Sequence, residues 1–221
     1  MQMKKRLSQI PFQESVDSWE SLMFLYNSAI REVRTKLDIL NDEFQHIHRY
    51  NPIEYIESRL KSPESIMKKL TRHGYETTMQ NMVDHVSDIA GVRLVCSFTS
   101  DIYRIAEMIC NLRQFEVVKI KDYIKQPKQS GYRSYHIIVN VPIYTTTDIV
   151  YTKAEIQIRT IAMDFWASLD HQLKYKKDIG TVADEISEDL RQCAEVIAAT
   201  DQHMLQIRKR IEDKNGKHAP Q

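Results

Sequence analysis

Cysteine is scarce in this 221-residue chain. Cys96, Cys110 and Cys193 include no Cys-x-x-Cys pair and no even count, which excludes a disulfide framework. Cys96 reads as strand core and Cys110 as the apolar face of a helix. An excess of one charge is also missing: 31 basic and 30 acidic residues leave +1, so no global field draws the chain to nucleic acid or to a membrane. Basic residues that matter must then be concentrated locally. No apolar run approaches the roughly 20 residues that span a bilayer. The polar N-terminus lacks the apolar core of a signal peptide, so the expected location is the cytoplasm, with no membrane partner. His46 and His48 lie two apart on a predicted helix, face different ways and make no metal pair.

What is present is alternation. In Tyr151-Thr-Lys-Ala-Glu-Ile-Gln-Ile-Arg-Thr160, strand geometry puts Lys153, Glu155, Gln157 and Arg159 on one face, about 7 Å apart, and Ala154, Ile156 and Ile158 on the other. Asp88-Ile-Ala-Gly-Val-Arg-Leu-Val-Cys-Ser-Phe98 sets Val92, Leu94, Cys96 and Phe98 opposite Arg93. In the third segment, 130–140, Ser134 and His136 oppose Tyr135, Ile137 and Val139. Three such strands suggest one sheet whose polar side is a binding floor. Asp88 and Glu155 meeting there would repel each other unless a hard divalent cation such as Mg²⁺ lies between them.

Apolar residues at steps of three and four, from Trp19 to Ile47, predict one long N-terminal helix that stops before Asn51-Pro52. The same stepping through Val182, Ile186, Leu190, Cys193, Ile197, Thr200, Met204, Ile207 and Ile211 predicts a second long helix ending near Asn215-Gly216. Such narrow stripes are seams for another helix, within the chain or across a subunit boundary. Between them we expect a helix after Pro52, a short strand at 59–61 and a helix over 63–72 with Ser62 as N-cap and Gly74 as its stop. Further helices are expected at 101–113 and 161–177, and a strand at 115–120. The loop 125–131 has no periodicity and is expected to be mobile. The 135 and 155 strands should pair antiparallel through the Thr145-Thr-Thr-Asp148 turn. The expected fold is α+β: a mixed sheet of about five strands with helices packed on one side, nucleotidyltransferase-like, plus the two long terminal helices. The boundaries are 1–50, 51–178 and 179–221.

Two clusters have the chemistry of anion sites. Arg59, Lys61, Ser65 and Lys69 can converge where a strand enters a helix, since Ser65 lies in a first helical turn and shares a face with Lys69. Lys128 and Tyr132 end a loop at a sheet edge, where a ring can stack on a base and an ammonium can meet phosphate.

Asp88-Ile-Ala-Gly-Val-Arg93, Ser130-Gly-Tyr-Arg-Ser-Tyr-His136 and Glu155-Ile-Gln-Ile-Arg-Thr160 together resemble the synthetase motifs of the RelA/SpoT family, in family order and at family-like separation. With flanking elements the resemblance covers roughly residues 50 to 178. It implies transfer of the β,γ-pyrophosphate of ATP to the ribose 3′-OH of GDP or GTP, giving ppGpp or pppGpp and AMP in the stringent response. It assigns Lys61, Ser65 and Lys69 to the ATP triphosphate, and Arg59 and Arg93 to sandwiching its adenine. Tyr132 becomes the guanine platform, with Lys121, Lys128, His136, Gln157 and Arg159 on the acceptor side. Asp88 becomes a Mg²⁺ ligand, and Glu155 a second ligand, the general base or both. Ser130 and Lys121 stand where some relatives carry asparagine and arginine, which leaves the preference between GDP and GTP open. The chain resembles the small stand-alone synthetases, so a homotetramer is expected and RNA stands as a candidate regulator. Hydrolase activity is not expected, because Asp84-His85 and Asp170-His171 reverse the hydrolase His-Asp order. The rival readings are an RNA-binding regulatory module and a nucleotidyltransferase of another specificity.

Overall fold

The long N-terminal stripe does what its spacing predicts. In the computed structural model, which describes residues 18–175 and 183–216, helix α1 (Trp19–His46) starts where the Ser18 side chain accepts from the Ser21 backbone N–H. It buries Leu22, Tyr26, Val33, Leu37 and Phe44. Each such side chain stabilises the fold by about 2 kcal/mol, so α1 is part of the main core and not an appendage. Ile47, expected on the stripe, follows the last helical residue and is 74% exposed.

The chain then runs β1 (Ile53–Leu60), α2 (Pro63–Arg72), α3 (Met79–His85), β2 (Ala90–Cys96), α4 (Thr99–Cys110), β3 (Glu116–Asp122), β4 (Tyr135–Tyr144), β5 (Ile149–Thr160), α5 (Ile161–Tyr175) and α6 (Ala183–Gly216). The five strands form one mixed sheet in the order β1-β2-β5-β4-β3. Only β2 and β5 are parallel. Val92, Leu94, Ile137, Val139, Ala154, Ile156 and Ile158 share a buried cluster with α1 and with Ile102, Ile105 and Ile109 of α4. The architecture is α+β, as expected.

Several expectations need correction. The segment after Pro52 is strand, not helix, and the short strand at 59–61 is the end of β1, which begins at Ile53 and closes at Leu60. As an edge strand β1 is buried only at Ile53 and half-buried at Ile56, so its alternation is lost and Ile53, Ile56 and Leu60 mimic helical spacing. Helix α3 was not foreseen. Ser62 caps α2 as expected, accepting from the Ser65 N–H, and Gly74 beyond it takes φ 78°.

On α6 the buried face is Leu190, Ala194, Asp201 and Leu205, while Cys193, Val196, Met204 and Ile211 are exposed. The expected stripe is thus split: Ile186, Leu190 and Ile197 pack with Trp166 and Ala194, whereas Cys193, Thr200, Met204 and Ile211 are exposed, and polar anchors complete the docked side. Asp201 accepts from Thr160 and Thr99, and Arg208 pairs with Asp101 at 2.9 Å over the rings of Tyr50 and Phe98. Val182, which opens that stripe, and the expected end of α5 at 177 lie outside the described residues.

Helix α6 also touches the loop expected to be mobile. Gly131 has φ 86°, and a Cβ there would stand 2.6 Å from Cβ of Ala194. The loop is folded, with Gly131 N–H donating to the Lys128 carbonyl and Lys128 N–H to that of Tyr132. Gly131→Ala should therefore lower stability by about 1–3 kcal/mol in urea unfolding. An unchanged unfolding midpoint would mean that α6 does not press on this loop.

Candidate active site

Sheet register assembles the polar floor. Glu57, Arg93, Gln157, His136 and Lys121 form one row, each opposite the next across β1, β2, β5, β4 and β3. The adjacent row runs Arg59, Gly91, Glu155. Arg59 and Arg93 are therefore diagonal neighbours on adjacent strands, a spacing of about 7–8 Å that matches a planar ring between two guanidinium planes. Gly91 contributes no side chain between Arg59 and Glu155. Arg59, Arg93, Tyr132 and Arg159, with Ala167, Ser168 and Gln172 of α5, line a cleft of about 620 Å³.

Asp88 sits in the turn before β2, where Lys61 Nζ donates to Oδ2 at 2.7 Å and Lys69 Nζ to Oδ1 at 2.8 Å. The three residues expected to meet the donor phosphates and their metal are thus joined. Burial pushes the Asp88 carboxyl up, but the two lysines outweigh it and hold it at about 2. Ser65 stays within the helix cap, accepting from the Ser62 hydroxyl at 3.0 Å.

Glu155, 5% exposed, takes His136 Nδ1 at 3.1 Å on Oε1 and Gln157 Nε2 at 2.7 Å on Oε2. Burial again raises its carboxyl; His136 and Gln157 more than offset that, and the net direction is downward against the nearby charge of Asp88. Both carboxylates are ionised at neutral pH and sense each other, as an oxygen donor pair for a hard cation requires. Among the described residues no group of three or more His, Cys, Asp or Glu is assembled as a metal site, so substrate oxygens would complete any coordination.

The acceptor-side residues form a ring. His136 Nε2 lies 2.9 Å from the Tyr132 hydroxyl, Arg159 Nη2 donates to that hydroxyl at 2.7 Å and to Gln157 Oε1 at 2.9 Å, and Gln157 and His136 both return to Glu155. Lys128 Nζ lies 4.7 Å from the Tyr132 ring centre and 4.8 Å from that of Tyr123. Burial, and then the charges of Lys121, Lys69 and Arg159, hold its ammonium below the ordinary range, with Glu155 opposing. Lys69, Lys121, Lys128 and Arg159 therefore crowd one space.

Residues 58–180 match the region found in RelA and SpoT proteins. The chain is 44% identical over 197 residues to the GTP pyrophosphokinase YwaC of Bacillus subtilis, covering 89% of this chain and 93% of that one. The chain belongs to the RelA/SpoT family. It is also 34% identical over 195 residues to the GTP pyrophosphokinase YjbM of the same organism, covering 88% of this chain and 90% of that one. Its structure is similar to that of small alarmone synthetase 1 from Bacillus subtilis bound to its product pppGpp, with TM-score 0.82, 34% identity, and 88% of this chain and 98% of that one covered.

Three residues at the RelA/SpoT-type site were missed in the sequence: Tyr55, Tyr123 and Asp164. Tyr55 donates to Asp164 Oδ2 at 2.8 Å; read as strand, Tyr55 and Arg59 fall on one face, so the mistaken helix hid it. Asp164 lies in the first turn of the helix after the motif strand, a position with no periodic signature of its own.

The Asp88 pairs have a pH signature. A carboxyl held at about 2, below its ordinary 3.8, contributes stability that is full above about pH 5 and lost as pH falls toward 2. That contribution is about 2 kcal/mol. Asp88→Asn should flatten the fall in unfolding free energy between about pH 5 and pH 2 relative to the parent. Parallel pH profiles would show that the lysines do not hold the carboxylate.

Proposed function

We infer that this chain is a (p)ppGpp synthetase, a GTP/GDP diphosphokinase that moves the β,γ-pyrophosphate of ATP to the ribose 3′-OH of GDP or GTP and releases AMP. The observation that carries the reading is an ionised carboxylate pair, Asp88 and Glu155, encircled by Lys61, Lys69, Lys128 and Arg159 between a paired-arginine gap and a tyrosine platform. A site for a single anion needs fewer cations, and an RNA surface leaves the acidic pair unexplained.

Arg59 and Arg93 bracket the adenine, and Lys61, Ser65 and Lys69 take the triphosphate. Asp88 and Glu155 would hold Mg²⁺, which when bound supplies charge neutralisation for the triphosphate. As ATP enters, both lysines pass from Asp88 to phosphate oxygens, so the carboxylate is freed for the cation as its lysines are claimed. The acceptor base stacks on Tyr132, and Lys128 leaves the ring to meet the acceptor's phosphates beside Lys121 and His136. Glu155, held by His136 and Gln157, accepts the 3′-hydroxyl proton. The oxygen attacks the β-phosphorus, and the bond from that phosphorus to the oxygen retained by the α-phosphate breaks, so AMP departs. The contributions are positioning and charge neutralisation. Arg159 ties Tyr132 to Gln157 and so orients the base.

Residues 51–178 form the catalytic unit, flanked by 1–50 and 179–221, which carry α1 and α6. The exposed apolar residues Val196, Met204 and Ile211 of α6, with Phe24 and Ile39 of α1, support assembly into a homotetramer. Among the described residues no helix is long and apolar enough to cross a membrane. Its use of ATP and GDP or GTP supports a cytoplasmic location.

Purified protein incubated with ATP, Mg²⁺ and GDP should yield AMP and ppGpp. Asp88→Asn or Glu155→Gln should abolish that transfer while the protein stays folded. Pyrophosphate release would establish a nucleotidyltransferase instead, and a salt-dependent RNA complex without turnover would establish an RNA-binding module. Tyr132→Ala should raise the KM for GDP by about tenfold or more, the size of one lost base stack, with ATP binding little changed. An equal loss of ATP affinity would contradict the division into donor and acceptor sides.

A further inference from the structure

One carboxylate at the site is used by neither side of this scheme. Asp164, 6% exposed, sits in the first turn of α5 and gathers groups from three strands. Its Oδ1 accepts from Arg159 Nη1 of β5 at 2.8 Å and lies 3.2 Å from Arg93 Nη1 of β2, while Oδ2 accepts from the hydroxyl of Tyr55 on β1. Arg93 faces the donor base and Arg159 holds the acceptor platform, and both line the same cleft. Without an anion between them the two guanidinium groups would repel each other.

We propose that Asp164 is a positioning residue that fixes Arg93 and Arg159 together and so sets the donor and acceptor base sites in one geometry before substrate arrives. An arginine side chain loses rotamer freedom when it is immobilised. Here the Asp164 contacts meet part of that cost in the free protein, so less is charged against binding. The Nε atoms of Arg93 and Arg159 are buried with no hydrogen-bond partner, so each guanidinium is held at its Nη end while a donor stays spare. Asp164 touches no reacting atom; it acts through the two arginines.

A plain buried ion pair clamping α5 to the sheet would affect stability alone, and Asp201 supplies that comparison. It too is a buried carboxylate joining a helix to the sheet, but its hydrogen bonds come from Thr160 and Thr99 and no arginine is involved. This inference rests on the synthetase reading, so its test is equilibrium binding, which does not need turnover. In the full chain, calorimetric titration of a non-hydrolysable ATP analogue and, separately, of GDP should show both affinities weakened about tenfold by Asp164→Asn, the loss of one charge-assisted contact at each arginine. Asp201→Asn should leave both within about twofold of the parent, and in an Arg93→Ala background Asp164→Asn should add less than about twofold to the loss for the ATP analogue. Unchanged affinities with a lowered Tm would overturn the positioning role, as would an equal loss in the Arg93→Ala background. A parent that binds both nucleotides but forms no ppGpp would refute the synthetase reading and leave the binding test of Asp164 standing.

Discussion

Lys61 and Lys69 both end on Asp88, and the proposed donor chemistry depends on that sharing. The carboxylate is partly buried, and its desolvation would raise its pKa if the lysines were absent. In the proposed mechanism the same two ammonium groups take the triphosphate and the same carboxylate takes its cation. In the free protein the three charges satisfy one another. Binding as proposed would exchange partners without leaving any of them bare, which is how a highly charged pocket can exist before its ligand arrives.

The second requirement is that the two substrates meet at one point, and the sheet supplies it. Parallel pairing of β2 with β5 places Gly91 opposite Glu155 and Arg93 opposite Gln157, and antiparallel β4 sets His136 on the other side of Gln157. A one-residue slip of β5 would turn Glu155 into the core and Ile156 onto the floor. The buried side of the same strands, packed on α1 and α4, prevents that slip. Core packing and catalytic geometry are thus two faces of one register.

Much of this was legible in the sequence because period-two alternation is a strong signal. It marked β2, β4 and β5, their inner faces and the floor residues Arg93, His136, Glu155, Gln157 and Arg159. The helix cap at Ser62 and the long stripe of α1 were equally plain. Edge strand β1 was misread because exposure of all but Ile53 and Ile56 erases alternation. The face of α6 was legible through Ile186, Leu190 and Ile197, but beyond them hydrogen bonds through Asp201 and an ion pair through Arg208 join apolar burial in choosing which side docks, so Met204 and Ile211 are left exposed. Asp164 and Tyr55 carry no pattern, since their partners are far away in the chain and only the folded sheet brings them together.

The account turns on Asp88 competing with nucleotide for Lys61 and Lys69. Titrating a non-hydrolysable ATP analogue into the parent and into Asp88→Asn without divalent metal, and again with Mg²⁺, tests this directly. Without metal, the variant should bind the analogue at least as tightly as the parent, because its lysines are already free; with Mg²⁺ the parent should gain affinity and the variant should not. Weaker metal-free binding by the variant would contradict the exchange.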